Sequence, residues 1–451
     1  MTVAIALFTQ DLRLRDNPVL HAAAAGGREV VPLFVLDTDL AATGFATPNR
    51  QAFLVDCLRD LDASLRAIGG HLVLRHGRCA EQTARLAEQL GAESVHVAAG
   101  VTAFAGRREA QLRERLGERL TIHQQSLTVA APGAVTPAGK DHYAVFTPYF
   151  RAWQRLTART VRPAPKALRT PTGLTGEPIP TGRPDSPALP PGGESQARRR
   201  WRAWSPDRYE ELHDDLAADG TSRLSPYLHF GCLSPTELLQ LALRRGGPGA
   251  EAFVRQLAWR DFHHQVLAAR PSAARRNYRD RGDHWWHSEP EAQAWREGRT
   301  GYPIVDAGLR QLAAEGWMHN RARLLTASFL TKTLYQDWRI GARHFLRLLV
   351  DGDVANNQLN WQWVAGTGTD TRPNRVLNPL VQADRFDPQG SYVRRWVPEL
   401  AGIQGRAVHR PWLLPTHPAG YPTPLIDPDH LSHRLRAGRG LLRPTPPDPI
   451  R

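Results

Sequence analysis

The densest group of polar and aromatic side chains in this sequence lies between Asp351 and Trp363, where two acids, several amides and two tryptophans stand close together. This composition fits neither a core helix nor a plain loop. It suits a buried heteroaromatic ligand with many polar edges. Thr221–Ser225 adds hydroxyl and backbone N–H groups at an expected helix start, as a pyrophosphate requires. Gly301–Asp306 and Gly316–Arg323 contribute a further acid, an amide and two arginines.

Other reactive patterns are weak or missing. His263 with His264, and His284 with His287, have no Cys or carboxylate at metal-ligand spacing, so we expect no metal site. No GxSxG or HExxH pattern occurs, which leaves nucleophilic hydrolases and zinc proteases unsupported. Gly133–Asp141 resembles a phosphate loop only faintly, because its glycine falls one place late and an Asp stands where Ser or Thr is needed.

The composition indicates a large folded chain with a polyanionic partner. Its 451 residues are 41% hydrophobic and suit two or three domains. Three cysteines without a CxxC pattern favour a reducing cytoplasm, and the apolar runs are too short to span a membrane. The excess positive charge, +14 for the whole chain, lies in residues 129–451, as do all 13 tryptophans. This distribution favours nucleic acid as the partner, although an arginine-rich composition alone would also produce the charge.

The first 128 residues alternate short apolar runs with amphipathic ones, which predicts a doubly wound parallel α/β sheet. Such sheets bind ligands at the carboxyl ends of their strands. Thr9–Arg13 follows the first strand without a GxGxxG pattern, so an ordinary dinucleotide site is not expected. The predicted strands are Val3–Phe8, Val30–Leu36, His71–Leu74 and Ser94–Ala98, and the predicted helices are Arg50–Ile68, Ala80–Leu90 and Gly106–Leu116.

A linker and a helical domain follow. Residues 129–200 are rich in Pro, Gly, Thr and Ser, with a helical piece near Phe146–Leu156. Residues 201–451 show helical periodicity almost throughout, and we expect their Pro-rich tail, from about His409, to lie along the surface. The sequence therefore predicts three parts, 1–128, 129–200 and 201–451. Typical helix starts occur at Asn17-Pro18, Ser225-Pro226 and Ser234-Pro235.

From Asp11–Pro18 to about Trp412, the chain resembles the DNA photolyase/cryptochrome family. Its details are most similar to the bacterial class I enzymes that repair cyclobutane pyrimidine dimers. The resemblance implies an α/β antenna domain joined by a long linker to an all-α FAD-binding domain. Several separated motifs in the same order carry it: Thr221–Gly231, Trp259–Phe262, Thr300–Asp306, Gly316–Arg323 and Asp351–Asp370.

The resemblance implies an FAD folded into a U shape within the helical domain. Asp351 and Asp353 match the acids near the ribose and the flavin. Asn357 matches the residue that faces flavin N5, where an amide, unlike the Asp of plant cryptochromes, favours a repair enzyme with fully reduced FAD. The other implied cofactor positions are Tyr209, Thr221, Ser222, Arg223, Leu224, Ser225, Phe253, Arg260 and Gly352.

The resemblance also implies an electron path and a set of DNA contacts. Trp286, Trp338 and Trp361 match the tryptophans that carry electrons from the surface to the flavin, although any single Trp could instead serve core packing. Trp259 and Trp363 match the walls around a dimer that has been flipped out of the base stack. The remaining matched DNA contacts are Gln256, Arg260, His263, Asn320, Arg321, Arg323 and Gln382.

One catalytic position departs from the common class I pattern. Gln256 stands where most of those enzymes have Glu, and its amide can donate to O4 and accept from N3–H of the pyrimidine. Gln is also usual in (6-4) photolyases, which leaves that function open. Those enzymes need a histidine acid where this chain has Asn320, so cyclobutane-dimer repair is favoured. We expect catalytic roles for Gln256, Asn320 and Asn357.

A second, light-harvesting chromophore is expected in the α/β domain. The folate-binding pattern needs adjacent Asn and Glu after the fourth strand, but Phe104 and Ala105 stand there. The domain is instead similar to relatives that bind 8-hydroxy-5-deazaflavin, and Phe34, Asp37 and Arg108 match that pocket. A pocket that holds FMN, or none, is the alternative.

Two further functions stay open. A cryptochrome-like photoreceptor would signal without repair, but the tail past Trp412 shows no helical pattern or block of charge. A DNA-binding module with a relic flavin site is disfavoured by the intact flavin and tryptophan positions. We expect a monomer that acts on damaged DNA in the cytoplasm of a bacterium, associated with the nucleoid.

Overall fold

An α/β sheet forms the N-terminal lobe in the computed structural model, which describes residues 2–441. The two strands Val3–Phe8 and Glu29–Asp37 are largely buried because helices cover both faces of the sheet, which explains their continuous apolar sequences. In chain order the lobe comprises β1 (Val3–Phe8), α1 (Pro18–Ala23), β2 (Glu29–Asp37), α2 (Thr38–Ala42), α3 (Pro48–Arg66), β3 (Val73–Gly77), α4 (Cys79–Gln89), β4 (Ser94–Ala98), α5 (Ala103–Leu116) and β5 (Leu120–His123).

All strand pairs are parallel, in the order β3-β2-β1-β4-β5. The predicted doubly wound sheet is therefore confirmed, and the direction of winding reverses at β1, where ligands bind in such folds. The prediction for β3 was placed slightly too early, at His71–Leu74. β5 was not predicted, because this short edge strand is only half-buried and lacks a clear apolar pattern.

The second lobe is helical, as predicted. Short 3₁₀ turns connect several of its helices, and a π-helical turn at Phe329–Thr333 extends one of them. Its helices, with two from the preceding segment, are α6 (Phe146–Trp153), α7 (Glu194–Ala203), α8 (Tyr209–Leu212), α9 (Ser225–His229), α10 (Pro235–Arg245), α11 (Gly247–Ala269), α12 (Glu289–Arg296), α13 (Pro303–Glu315), α14 (Asn320–Ser328), α15 (Trp338–Leu348), α16 (Val354–Ala365), α17 (Pro379–Phe386), α18 (Ser391–Trp396) and α19 (His433–Gly438).

Side-chain caps fix two of the three predicted helix starts, whereas the helix that begins at Ser225 has no side-chain cap. Asn17 accepts a hydrogen bond from the Leu20 N–H at the start of α1, and Ser234 accepts one from the Glu237 N–H at the start of α10. In both helices a proline occupies the first position, where a missing N–H costs least.

A continuous apolar core joins the two lobes. It contains residues of β1, α3, α9 and α11, and the Phe53 ring on α3 lies 5.4 Å from the Tyr227 ring on α9. The first turn of α3 adds polar contacts, because Asn49 and Arg50 donate to the carbonyls of Leu348 and Leu349 at the end of α15. The α/β lobe therefore helps to hold the chain that leads into Asp351–Trp363.

The segment between the lobes runs along the α/β lobe. Its Leu168 N–H donates to Ile68 O over 2.7 Å, and its Glu177 N–H donates to Leu74 O over 2.9 Å. The predicted helical piece is present as α6. The residue bounds 1–128, 129–200 and 201–451 remain predictions, and α7 begins before the last of them.

Most of the described tail is exposed or partly exposed, as a surface position predicts, but several of its side chains are buried in the helical lobe, and residues 442–451 lie outside the described part. His409 is buried and its Nε2 lies 2.7 Å from Asp387 O. Tyr421 is also buried and donates its hydroxyl hydrogen to Asp306, while Leu431 and Leu435 pack into the helical lobe. α19 contradicts the expectation that the tail has no helix. Over residues 2–441, we find no helix that combines the length and apolar character needed to cross a bilayer.

Candidate active site

The polar segment Asp351–Trp363 forms a turn and helix α16 in the middle of the helical lobe. Asp353 caps α16 by accepting from the Asn356 N–H over 2.8 Å, and His264 Nε2 lies 3.2 Å from the same carboxylate. Burial by itself would raise the pKa of Asp353, but His264 and Arg260 overcome it and hold that pKa well below its ordinary value. Asp353 is therefore a carboxylate at neutral pH.

Asn357 is buried on α16 with a fixed orientation. Its Nδ2 donates to Ala342 O over 3.1 Å and to Gln358 Oε1 over 3.0 Å. These two bonds use both amide hydrogens, so the carbonyl Oδ1 remains as a neutral acceptor. The side chain can therefore accept a hydrogen bond from a ligand without adding charge to the site.

Asp351 lies between arginines from two parts of the fold. Arg323 Nη2 donates to its Oδ2 over 2.8 Å, and the positive charge of Arg50 acts on it from α3. Burial lowers the pKa of the Arg50 guanidinium to about 10 despite Asp351, so it remains protonated at neutral pH. Gly352 lies against Arg50, and a side chain at this glycine would meet the Arg50 Nη1.

The Thr221–Ser225 loop is held rigidly. Arg223 adopts a left-handed backbone with φ of 50°, donates to Asp219 and Glu315, and lies 4.3 Å from the Trp317 ring centroid. Arg200 Nε also donates to Ser222 O over 2.7 Å. These contacts fix a strained loop that costs about 1–3 kcal/mol to hold, which is typical of ligand-binding segments. Leu224 is buried beside it, and Ser225 accepts from Trp317 Nε1.

Tyr209 and Phe253 lie in one aromatic cluster on α8 and α11. Their rings are 6.3 Å apart and meet edge to face. Trp204, which the sequence did not single out, packs on both of them, at 5.5 Å from Tyr209 and 5.1 Å from Phe253. A single Trp just after a basic helix carries no motif, so only the contacts show this role.

The three tryptophans of the predicted electron path differ in exposure. Trp361 is buried on α16, and Trp338 is buried at the start of α15 with its indole N–H bonded to Asn277 Oδ1 over 2.9 Å. Gly341, one turn after Trp338, lies so close to Trp361 that an added Cβ would be 2.1 Å from that ring. Trp286 is 53% exposed. This gradient fits a path from the surface inward, and the electron role stays a prediction.

Two aromatic rings beside Trp361 were not predicted. The Trp295 and Phe345 rings meet it edge to face at centroid distances of 5.9 Å and 4.9 Å. Trp295 is fully buried, and its N–H donates to Thr326 O. No motif marks either residue, because their importance depends on the packing of α12 and α15 around α16.

The predicted DNA contacts fall into an exposed group and a buried group. Gln256 on α11 and Asn320 at the start of α14 are exposed, and Trp363 on α16 is half-buried. Trp259 is half-buried and stacks on Phe146 at a centroid distance of 3.7 Å and an interplanar angle of 5°. α16 packs against both α11 and α14, so Gln256, Asn320 and Trp363 lie on neighbouring helices. Gln382 is half-buried on α17.

Arg260 and His263 lie inside the protein, which argues against the predicted direct contact with DNA. His263 is 2% exposed, and its Nδ1 lies 3.1 Å from Asn356 Oδ1. Arg260 donates to Leu127 O over 2.5 Å and to Leu228 O over 3.4 Å. Its charge acts on Asp353, so the position of Arg260 fits its other predicted role, at the cofactor.

Arg321 and Arg323 are also engaged within the protein. Arg321 forms an ion pair with Asp214, with Nε 3.1 Å from Oδ1, and lies 4.3 Å from the Phe386 ring centroid. Arg323 binds Asp351 and the carbonyl of Met318. A phosphate contact by Arg321 would have to compete with Asp214, while Arg323 is placed to orient Asp351. Their predicted DNA contacts remain untested.

A second polar site lies at the carboxyl ends of β1, β2 and β4. Buried Asp11 accepts from the Thr9 N–H over 2.9 Å, and burial raises its pKa although Arg13 and Arg108 oppose the shift. Within residues 2–441, Thr9 Oγ1, Asp11 Oδ2 and Arg108 Nε are buried without a hydrogen-bond partner. Asp37 and Phe34 come from the end of β2. The predicted antenna residues thus lie where this fold binds ligands.

Comparison with known proteins decides the family. The DNA photolyase family model matches residues 4–169, and the model for the FAD binding domain of DNA photolyase matches residues 253–438. A protein of Streptomyces griseus named deoxyribodipyrimidine photo-lyase is 57% identical, and the match covers 98% of this chain and 100% of that one. The chain belongs to the DNA photolyase/cryptochrome family. The predicted resemblance is confirmed.

Other members of the family share the whole fold. The deoxyribodipyrimidine photo-lyase of Escherichia coli is 35% identical over 95% of this chain and 96% of its own. A bacterial class III photolyase from Agrobacterium tumefaciens superposes with a TM-score of 0.90 at 31% identity and 98% coverage of both chains. A Synechocystis cryptochrome superposes with a TM-score of 0.89 at 29% identity, covering 97% of this chain and 99% of that one.

The residues of the helical lobe fit FAD. Across the described part of the chain, buried polar atoms around the segment lack partners, namely Thr221 Oγ1, Asp351 Oδ1, His263 Nε2 and His264 Nδ1. Buried polar atoms without partners cost about 1–3 kcal/mol each, and a dinucleotide with many heteroatoms would supply partners. Together with the family model, this donor set supports an FAD site at Asp351–Asn357 and Thr221–Ser225.

Proposed function

We propose that this chain repairs cyclobutane pyrimidine dimers in DNA with light and bound reduced FAD. The observation that carries the proposal is that the same two helices hold the cofactor positions and the lesion positions. On α16, buried Asn357 and half-exposed Trp363 are separated by a rise of about 9 Å, and on α11 buried Phe253 and exposed Gln256 by about 4.5 Å. A flipped-out base would therefore lie close to the flavin. The names of the relatives support the same activity.

The chain's own residues bind, orient and exclude water in this reaction. When bound, reduced FAD supplies the electron that splits the dimer and takes it back afterwards. Asn357 presents its neutral Oδ1 to an N–H of the flavin, which favours the hydrogenated ring nitrogen without introducing a charge. Asp351, paired with Arg323, and Asp353, in contact with His264, accept from hydroxyl or N–H groups of the cofactor.

Gln256 and Asn320 act on the lesion. Both are exposed in this structure, so they are free to exchange water for the polar edges of a flipped pyrimidine. Gln256 donates to a carbonyl and accepts from N3–H, and neither bond needs a titrating proton. Trp259, backed by Phe146 in a parallel stack, offers a rigid apolar wall for the dimer.

A (6-4) photolyase is the second candidate, because Gln256 fits that class as well. The chemistry of such an enzyme needs an imidazole acid beside the lesion. The neighbouring histidine does not supply one: His319 is buried, its Nδ1 accepts from the Arg321 N–H, and burial lowers its pKa to about 4. It is therefore neutral at physiological pH, which favours the cyclobutane dimer as substrate. A cryptochrome-like photoreceptor is a further alternative, since one structural relative is a cryptochrome.

For the antenna we propose 8-hydroxy-5-deazaflavin at the site formed by Thr9, Asp11, Asp37 and Arg108. The partnerless Asp11 and Arg108 atoms support a polar aromatic ligand there, and Phe104 and Ala105 cannot make the bonds of the folate pattern. One structural relative, an archaeal photolyase from Sulfolobus tokodaii, contains two FAD molecules, so a second flavin is the alternative. Fluorescence energy transfer after reconstitution with either chromophore separates the two.

One experiment separates the candidate functions. Reduced holoenzyme is mixed with oligonucleotides that carry either a cyclobutane dimer or a (6-4) product and is exposed to near-UV light, with a dark control. We expect light-dependent loss of the cyclobutane dimer alone. Repair of only the (6-4) product would assign the second candidate, and no repair of either lesion would favour the photoreceptor.

The same assay tests Gln256. Gln256→Leu leaves polar edges of the lesion without hydrogen-bond partners, which costs about 1–3 kcal/mol. The affinity for the dimer should therefore fall about tenfold or more. Glu251→Leu, an exposed substitution on the same helix, serves as the matched control and should bind normally. Full affinity and repair by Gln256→Leu would remove Gln256 from the lesion site.

A further inference from the structure

The exposed tryptophan of the predicted electron path is covered by an arginine of the C-terminal tail. The guanidinium carbon of Arg434, on α19, lies 4.9 Å from the Trp286 ring centroid. Arg434 is itself held by Glu291, with Nη1–Oε2 and Nη2–Oε1 distances of 2.6 Å and 2.8 Å. Trp286, two residues before the cap of α12, and Glu291, in its first turn, are thus joined through one arginine.

α19 is fixed in place by a second arginine. Arg439 binds Asp283, whose side chain is 1% exposed, with distances of 2.7 Å and 3.1 Å, and donates to the carbonyls of Ala365 and Pro373. The loop that carries Trp286 is also held near Asp283. The backbone N–H of Trp286 donates to Tyr335 O, and the Tyr335 hydroxyl donates to Asp283. The position of Arg434 is therefore fixed by its ion pair with Glu291 and by the anchoring of α19.

We propose that the Arg434–Glu291 pair controls the oxidation of Trp286 and the loss of its proton, which rests on the proposed electron path. A cation over an indole face stabilises the neutral ring through its quadrupole and repels the positive charge that appears on oxidation. The carboxylate of Glu291 offsets part of this repulsion. Arg434 is a positioning residue in this scheme, since it acts through Trp286.

The step balances in electrons and protons. One electron passes from Trp286 to oxidised Trp338, which leaves a radical cation on Trp286. Its indole N–H proton then passes to water, which reaches the ring because the side chain is half exposed. The product is a neutral indole radical, and an external thiol later returns one electron and one proton. The positive charge of Arg434 favours this proton loss. After the proton has left, an electron that returns to Trp286 must be accompanied by a proton.

Flash photolysis of holoenzyme with oxidised FAD tests the proposal by following the decay of the tryptophan radical cation to the neutral radical. Arg434→Gln should slow proton loss by about two- to fivefold, the range that corresponds to an exposed cation–π contact. Glu291→Gln leaves the cation uncompensated and should speed proton loss. Arg434→Lys keeps the charge and should restore most of the parent rate. Arg436→Gln, an exposed change on the same helix, should have no effect.

The signs of the effects separate control by charge from simple support of the loop. Loss of support would move Arg434→Gln and Glu291→Gln in the same direction, and that result, or parent rates in both, overturns the proposal. If Arg434→Gln does not fold, Glu291→Gln and Arg434→Lys still decide. Trp286→Phe tests the electron path itself. If the neutral tryptophan radical still forms in that variant, the path through Trp286 is refuted. If it no longer forms, but the Arg434 and Glu291 variants behave like the parent, only the role of the pair is refuted.

Discussion

The orientation of a single amide decides what kind of acceptor meets the flavin. In Asn357 both Nδ2 hydrogens are used by the chain itself, on Ala342 O and Gln358 Oε1, and only a neutral oxygen remains. A negative oxygen at the same point would hold a flavin N–H more tightly. The difference between these two acceptors is one atom in a buried site, where charge matters most.

Asn357→Asp should therefore make the one-electron-reduced, N5-protonated flavin accumulate on illumination, whereas the parent should proceed to the fully reduced form. Absorption spectra under anaerobic light with a thiol donor measure this outcome. Asn360→Asp is the matched control, because Asn360 lies on the same helix and its Nδ2 donates to Asn356 O. If Asn357→Asp and the parent yield the same species, Asn357 does not face the flavin.

The sequence could group single residues where a motif carries them, but it could not indicate contacts with partners that are distant in the chain. Asp351, Asp353 and Asn357 stand in one short segment, so the sequence could group them. The pairing of Arg321 with Asp214 joins residues 107 positions apart, and nothing in either segment indicates it. An exposed arginine and an engaged one look the same in a sequence.

Elements were predictable where local chemistry sets their ends. Asn17 and Ser234 begin helices by capping them, and this signal needs no tertiary contact. α19 lacks such a signal: the Ser432 side chain makes no cap hydrogen bond, and the helix has six residues with several charges. It is stable because Leu435 is buried and Arg439 binds inside the lobe, which only the folded chain reveals.

Arg439→Gln should lower the free energy of unfolding much more than an exposed substitution on the same helix. The change leaves the buried carboxylate of Asp283 without its cation, and breaking a buried pair from one side costs about 3 kcal/mol or more. Chemical denaturation of the FAD-bound protein measures the loss. Arg436→Gln on the same helix is exposed and should change the free energy of unfolding little. Equal effects of the two substitutions would show that α19 contributes no buried pair.

At the scale of the molecule, the α/β lobe and the helical lobe pack together next to the segment Asp351–Trp363. α3 belongs to the α/β lobe by sequence, yet its Asn49 and Arg50 bind the carbonyls of Leu348 and Leu349, just before Asp351. The alternation of strands and helices predicted the sheet, because that pattern is local. It could not predict these contacts, since they join residues 299 positions apart.

Buried histidines should make the whole fold sensitive to acid. Burial lowers the pKa of His229, His263, His319 and His344 to about 4 in each case. Between pH 6.5 and 4 the unfolded chain takes up protons that the folded chain does not, so the free energy of unfolding should fall as the pH falls through this window. Each such group contributes at most about 1.4 kcal/mol per pH unit.

His344→Gln isolates one of these contributions. Buried acids with raised pKa, such as Asp11 and Asp261, act in the opposite direction, so the quantity to measure is the difference between variant and parent. Denaturation curves at several pH values from 7 to 4 should show a shallower loss of stability in His344→Gln. His417→Gln, at an exposed histidine, should follow the parent. Parallel curves for parent and His344→Gln would mean that His344 becomes protonated in the folded protein as readily as in the unfolded chain.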